Sequence, residues 1–167
     1  MQSDIQAILY EAEDHYLQKP DLKDFKSSVA SLAQRLETYE CLRDREIAIF
    51  QPIADELVKA YPEENPKPLE NAIKHWLSIM RYCAMAMLLN NPEYLQRQIL
   101  DWLTEIVKAH QMQSIENTIY VLLLSGLEKA LSKKQLALME PFLEQAQTNL
   151  LHEEVPSNQQ IPMTVGG

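Results

Sequence analysis

Apolar residues in the middle of the chain, between Asn71 and Pro92, recur at intervals of three and four residues. Side chains at that spacing lie on one face of an α-helix, so the stretch predicts a helix. Charge is confined to its first half, at Lys74 and Arg81, and the second half is apolar on almost every side. We expect this to be the buried central helix of the domain. Its apolar face consists of Ile73, Trp76, Leu77, Met80, Ala84, Met87 and Leu88.

The other helices are delimited by capping residues and prolines. Asn91 precedes a proline and is the expected N-cap of the following helix. Ser132 begins a capping-box pattern, and Asp21 and Ser114 are the expected N-caps of two further helices. Three prolines in the segment 62–68 predict a loop. The sequence predicts an all-α fold, with helices at about 3–16, 21–40, 44–61, 71–90, 92–110, 114–131 and 132–150.

The composition limits the kind of protein. The chain has 167 residues, of which 46% are hydrophobic and three are glycine, which fits one domain with a sizeable core. A net charge of −9 disfavours nucleic-acid partners and anionic membrane surfaces. The polar start does not resemble a signal peptide, and no apolar run approaches the ~20 residues of a membrane-spanning helix. Cys41 and Cys83 have no metal ligands near them in the sequence, which indicates a reducing, cytoplasmic setting. We therefore expect a cytoplasmic protein, and the lack of a long apolar run predicts no membrane insertion.

Residues for catalysis or metal binding are not grouped in the sequence. There is no glycine-rich phosphate loop, no nucleophilic serine elbow and no Cys-x-x-Cys pair. None of the histidines has another histidine or a cysteine at ligand spacing; they are His15, His75, His110 and His152. We therefore expect neither an enzyme nor a metal site.

Two groups of residues are candidates for binding. The first predicted helix carries one narrow apolar stripe, which either packs on the domain's own core or binds a partner helix. The central helix is rich in aromatic and methionine side chains, which usually fill a core, and its Lys74 and His75 lie beside Trp76. A solvent-facing pair is the ordinary interpretation of Lys74 and His75, with an acidic ligand as the alternative. The residues of the stripe are Ile5, Ile8, Leu9, Ala12 and Tyr16.

The segment 81–92 reads Arg-Tyr-Cys-Ala-Met-Ala-Met-Leu-Leu-Asn-Asn-Pro. This pattern resembles the phycobiliproteins, light-harvesting globins in which an Arg-Tyr pair is followed by Ala-Met-Leu or similar and then a Gly-Asp-Pro-type break. Residues 99–105 are similar to the helix after that break, and residues 15–17 to the end of the family's N-terminal extension. The resemblance covers about residues 3–150 in helix order. It implies a globin-like helical bundle with an N-terminal helical extension, which in that family mates two subunits.

The positions that hold the pigment in that family carry other residues in this chain. By the resemblance, the attachment cysteine falls on Ala72, and the Arg and Asp that hold a propionate and the pyrrole nitrogens fall on Lys74 and His75. The loop that covers the pigment is shortened to the segment 62–68. The resemblance therefore implies a divergent member without a covalent bilin, and we expect no cofactor. The candidates for a degenerate pocket are Ala72, Lys74, His75, Trp76, Arg81 and Tyr82.

These expectations combine into a non-catalytic, bilin-free protein of a cyanobacterial type that acts on phycobilisome assembly, regulation or turnover. It would pair its N-terminal helices with a second copy or with a phycobiliprotein subunit, as a dimer, at the phycobilisome on the cytoplasmic face of the thylakoid. We predict one domain over residues 1–152, consisting of an extension at 1–20 and a globin core at 21–152. A flexible tail is predicted at 153–167.

A second hypothesis comes from a different class of protein. A sensor globin would hold a bilin, a haem or a fatty acid non-covalently near His75, Trp76 and Tyr82. The two hypotheses differ in a simple observable, because a protein that binds a tetrapyrrole gains a visible absorption band when it is titrated with bilin or haemin.

Overall fold

Helices account for nearly all of the chain that the structure, a computed structural model, describes, namely residues 2–110 and 113–151. Within these ranges there is no strand. The architecture is an all-α, globin-like bundle, which confirms the predicted fold class; the predicted tail at 153–167 lies outside the described residues. In chain order the elements are α1 (Gln2–Asp14), α2 (Lys19–Ala60), α3 (Pro66–Leu89), α4 (Pro92–Leu95), a π-helical turn (Gln96–Leu100), α5 (Asp101–His110), α6 (Gln113–Ala130) and α7 (Lys133–Leu151).

The centre of the bundle is α3, as its apolar pattern predicted. It packs against α2, α6 and α7, and its large side chains are almost completely removed from solvent. Each such side chain contributes roughly 1.5–3 kcal/mol on burial, so this helix supplies much of the apolar contact that holds the bundle together. Its buried residues are Leu69, Ala72, Trp76, Ile79, Met80, Cys83, Ala84, Ala86 and Met87.

The helix α2 corrects the prediction of two separate helices at 21–40 and 44–61. It runs without interruption for 42 residues. The predicted break at 41–43 contains neither glycine nor proline, and Leu42 within it is buried in the core. Pro52 and Ala48, whose carbonyl loses its helical donor to the proline, are both exposed residues of α2.

The loop before α3 is shorter than the predicted segment 62–68. Asn65 is the N-cap, and its side chain accepts a hydrogen bond from the backbone N–H of Lys67 at 3.2 Å. The helix then begins at Pro66, with Pro68 in the same first turn. Prolines are tolerated there because the first N–H groups of a helix have no partner within it.

Two of the predicted helix starts are confirmed. The side chain of Asn91 accepts a hydrogen bond from the backbone N–H of Tyr94 at 3.2 Å. Ser132 and Gln135 form the predicted capping box, with bonds of 2.9 and 3.3 Å. Just before Asn91, Asn90 ends α3 in the left-handed conformation, with φ of 48°, which asparagine tolerates better than most residues.

Two other boundaries were predicted wrongly, whereas the helix predicted at 92–110 extends over those residues. Asp21 is not an N-cap, because α2 begins at Lys19 and the Asp21 carboxylate accepts from the backbone N–H of Gln18 at 2.8 Å. Ser114 lies inside α6, which begins one residue earlier. The single helix predicted at 92–110 contains the π-helical turn, where Gln96 bonds to residues of other turns and helices.

Burial along α2 begins only at Arg35, and no side chain in the described range 5–34 is buried. The helix α1 packs against α2, and we call α1, the connecting residues 15–18 and residues 19–34 of α2 together the N-terminal helical pair. At the start of the buried part, Arg35 donates to the carbonyl oxygen of Leu88 at 2.5 Å. Farther along, Arg45 donates to the carbonyl oxygen of Ala130 at 2.6 Å. The helix α2 thus caps the C-terminal ends of both α3 and α6 with cations.

Candidate interaction surface and pigment-site positions

The N-terminal helical pair presents apolar side chains to solvent. Tyr16 is 95% exposed and Leu9 is 53% exposed, although both are large enough to stabilise a core. A group of exposed apolar side chains is typical of a surface that binds another protein; other exposed apolar side chains are distributed along the rest of α2 and along α5 and α6, at Leu36, Ile47, Val58, Trp102 and Val121. The exposed apolar residues of the pair are Leu9, Tyr10, Tyr16, Leu22 and Val29.

The predicted stripe of α1 is divided between two environments. Ile5 and Ile8 are half-buried, and Ile8 lines a shallow groove with residues of α2. Leu9, Ala12 and Tyr16 are exposed. The half-buried residues thus serve the contact with α2, and the exposed ones remain open to a partner. As a partner-binding surface, the stripe stays a prediction.

Two of the predicted pocket residues lie in the interior of the bundle. Ala72, at the position that the resemblance equates with the attachment cysteine, is fully buried, and so is Trp76. The ring of Trp76 packs against that of Tyr120 on α6, with centroids 5.4 Å apart and planes tilted by 43°. An indole in van der Waals contact with a second aromatic ring fills this part of the interface between α3 and α6.

Lys74 and His75, at the positions of the family's arginine and aspartate, are both engaged within the chain. Lys74 is exposed and forms an ion pair with Glu70 one helical turn earlier. The Nδ1 atom of His75 lies 3.4 Å from Oε1 of Glu116. Glu116 is a buried carboxylate, 1% exposed, in the first turn of α6.

Arg81 and Tyr82 lie together at a cleft between α2 and α3. The cleft has a volume of about 560 Å³ and is lined by both residues, by Tyr39 of α2 and by Tyr94 of α4. Arg81 donates two hydrogen bonds to Glu46, at 2.7 and 2.6 Å, and this guanidinium lowers the pKa of the Glu46 carboxyl. The rings of Tyr82 and Tyr94 are 6.2 Å apart. Of the six predicted pocket residues, only Arg81 and Tyr82 line this cleft; as ligand-binding residues, all six stay predictions.

Neither cysteine lines this cleft. Cys83 is fully buried, its thiol donates to the carbonyl oxygen of Phe142 with a sulfur–oxygen distance of 3.6 Å, and burial raises its pKa. Cys41 is half-buried and donates to the carbonyl oxygen of Ala130 at 3.7 Å. Both thiols are therefore directed at backbone carbonyls inside the bundle.

Residues 2–110 and 113–151 contain no group of three or more His, Cys, Asp or Glu residues arranged to hold a metal ion. None of the helices in these ranges combines the length and the apolar character needed to cross a membrane.

Glu46 and Glu116 were not among the predicted site residues, although each pairs with a residue of the central helix. Glu116 occupies the same face of α6 as Ile119, Tyr120 and Leu123, all of which are buried. A carboxylate at a buried helical position is the signal that would have found it. Glu46 carries no such signal, because its role depends on Arg81, 35 residues away in the sequence.

The comparisons with known proteins agree with the fold. The model of a protein family described as phycobilisome protein matches residues 7–150, a range that covers most of the chain from α1 to the end of α7. No curated protein matches the chain.

Proposed function

Because the chain belongs to the phycobilisome protein family, we propose that it is a bilin-free member that acts through contacts with other proteins. Family membership supports a phycobilisome-related role and a protein partner. On this proposal the chain does not collect light or catalyse a reaction. It takes part in assembly, regulation or turnover of the phycobilisome, in the cytoplasm at the cytoplasmic face of the thylakoid.

The observation that carries the proposal is the exposed apolar surface of the N-terminal helical pair. Leu9 and Tyr10 face solvent on α1, Tyr16 does so in the connection between α1 and α2, and Leu22 and Val29 do so on α2. Covering one large apolar side chain contributes roughly 1.5–3 kcal/mol. Association itself costs roughly 4–15 kcal/mol, so a stable complex requires that several of these side chains are covered together.

The absence of a bound bilin is supported by the residues at the pigment positions. Ala72 offers no thiol and is buried. Lys74 and His75 are engaged with Glu70 and Glu116. A covalent pigment would therefore lack both its attachment atom and the side chains that orient it.

The distribution of charge favours a second copy of the chain as the partner. The exposed residues Glu11, Glu13 and Asp14 make the end of α1 acidic. The first turns of α2 are mixed in charge, with the exposed lysines Lys19 and Lys23 next to Asp21 and Asp24. Two copies in an antiparallel arrangement would bring the acidic end of α1 of each protomer to the two lysines of its partner, which aids association.

The test is the mass of the protein in solution, measured by size-exclusion chromatography with light scattering. The wild type is expected to be a dimer at micromolar concentration, and Leu9→Asp to be a monomer, because it puts a charge into the covered surface. Leu9 is half exposed in the protomer, so this substitution leaves the fold intact. Ile8→Asp is expected to abolish pairing too, but also to weaken the contact between α1 and α2.

The matched control is Val121→Asp, which introduces the same charge at an exposed apolar position of α6, away from the helical pair. It is expected to remain a dimer. If the wild type is a monomer, the partner is a phycobiliprotein subunit, and Leu9→Asp must abolish co-elution with purified subunits while Val121→Asp does not. A monomer that ignores phycobiliproteins would refute the proposal.

A second candidate function rests on the cleft that Arg81 and Tyr82 line. Its volume of about 560 Å³ falls within the range of small-molecule sites, roughly 300–1,000 Å³. A sensor globin would hold a planar ligand there, against the tyrosine rings. Titration of the purified protein with bilin or haemin is expected to produce a saturable visible band that Tyr82→Ala weakens. A spectrum equal to the sum of free protein and free ligand would remove this candidate.

A further inference from the structure

Two polar atoms of the core have no hydrogen-bond partner among the described residues. They are the indole Nε1 of Trp76 and the carboxylate Oε2 of Glu116. Trp76 is 0% exposed and Glu116 is 1% exposed, so bulk water does not reach either atom. A buried polar atom without a partner destabilises a fold, and a charged one does so more strongly. Native cores therefore seldom keep such atoms unless an ordered water binds them.

Both atoms belong to one contact between α3 and α6. His75 approaches the other oxygen of Glu116, with its Nδ1 atom 3.4 Å from Oε1, and Trp76 is the next residue of α3. The ring of Trp76 packs against Tyr120 at 5.4 Å, and Tyr120 lies one helical turn after Glu116. Two successive residues of α3 thus face one turn of α6, which brings the indole and the carboxylate to the same part of the interface.

The two unpaired atoms are chemically complementary. An indole N–H can only donate a hydrogen bond, and an ionised carboxylate oxygen can only accept one. We propose that a single buried water molecule bridges them, accepting from Trp76 Nε1 and donating to Glu116 Oε2. A water molecule donates and accepts at once, so one molecule satisfies both atoms, and buried waters are normally found between such groups.

This water accounts for the presence of an acidic side chain in the core. One carboxylate oxygen of Glu116 faces His75 and the other binds the water, while the first turn of α6 places the charge at the positive end of that helix. The interface between α3 and α6 is therefore held by a polar link as well as by apolar packing. This inference does not depend on the proposed function, because it concerns the protomer alone.

The chain provides its own internal control for a test by NMR, since it contains two tryptophans. Trp102 is 50% exposed, and its Nε1 donates to the carbonyl oxygen of Gln98 at 2.8 Å. In ¹⁵N-edited NOE and ROE spectra, the indole proton of Trp76 is expected to show a cross-peak to water. The sign of this cross-peak is expected to be that of a water molecule that stays bound for longer than the tumbling time of the protein. The indole proton of Trp102 is expected to show only exchange or short-lived hydration. Trp102→Phe assigns the two resonances.

Glu116→Met then removes the acceptor while keeping a side chain of similar length. The cross-peak of Trp76 is expected to disappear and its indole resonance to move upfield, with the Trp102 resonance unchanged. A wild-type Trp76 indole proton without a bound-water cross-peak would overturn the proposal, whether or not the variant folds. A crystal structure in which Trp76 Nε1 donates directly to Glu116 Oε2 would overturn it as well.

Discussion

Arg35 joins the long helix α2 to the end of α3, and its removal is expected to destabilise the whole fold. The side chain is 7% exposed. Its Nη1 atom donates to the carbonyl oxygen of Leu88 at 2.5 Å, and its Nε donates to that of Ser31 at 3.4 Å. Because Leu88 lies in the last turn of α3, the guanidinium is at the negative end of that helix dipole. We predict that Arg35→Met, which keeps the aliphatic stem, lowers the free energy of unfolding.

The magnitude follows from two of the interactions that are lost, the hydrogen bond to Leu88 and the charge at the end of α3. A hydrogen bond to a charged group contributes about 1.5–3 kcal/mol, and a cation at a helix C-terminus about 0.3–1 kcal/mol. The expected loss is therefore about 2–4 kcal/mol, a large part of the ~5–15 kcal/mol by which domains are usually stable. With a urea dependence of about 2 kcal/mol per molar, the unfolding midpoint should fall by about 1–2 M.

The assay is urea unfolding followed by circular dichroism at 222 nm. Arg43→Met is the matched control, because Arg43 lies on the same helix but is exposed and pairs only with its neighbour Asp44, at 2.8 Å. It is expected to leave the midpoint unchanged. A loss below about 0.5 kcal/mol for Arg35→Met, the range of ordinary surface substitutions, would show that the guanidinium does not anchor α3.

Two further predictions follow from titratable groups. Arg81 lowers the pKa of Glu46 in the folded state, so the pair stabilises the fold above the ordinary glutamate pKa, and this contribution is lost as the pH falls. In Arg81→Met, the free energy of unfolding should therefore decrease less between about pH 5 and pH 3 than in the wild type. The same pH profile in both proteins would contradict this. Burial raises the pKa of the Cys83 thiol, and only a thiolate attacks a disulfide reagent. Native protein should therefore react rapidly with such a reagent through Cys41 at most, whereas denatured protein should react through both thiols. Two rapidly reacting thiols in the native protein would contradict the burial of Cys83.

The helix ends that were predicted correctly are those fixed by neighbouring residues. Asn91 and Ser132 bond to backbone within three residues, so the sequence alone contains the whole interaction. The continuity of α2 through residues 41–43 depends instead on the burial of Leu42 against other helices. The π-helical turn has the same kind of cause, because Gln96 bonds to Asn149 of α7. No local pattern records either contact.

The candidate surfaces were predictable to a similar extent. Periodicity identified the stripe of α1, but it did not separate Ile8, which faces α2, from Leu9, which faces solvent. That division depends on the angle at which two helices approach. The partner of His75 was also inaccessible to sequence reasoning, because Glu116 lies 41 residues away and a glutamate in a first helical turn is ordinarily explained by the helix dipole.

The continuity of α2 determines how the N-terminal helical pair can act. A helix of 42 residues is about 63 Å long, and its first 16 residues, 19–34, precede the first buried side chain at Arg35. A segment as short as residues 19–34 is only marginally stable in water as an isolated helix. Here it continues into the core, where Arg35 donates a hydrogen bond to the carbonyl oxygen of Leu88. The part of the exposed surface that lies on α2, at Leu22 and Val29, is therefore held in a fixed direction. Binding does not have to order it, so a modest apolar area yields more affinity than the same residues would in a flexible segment.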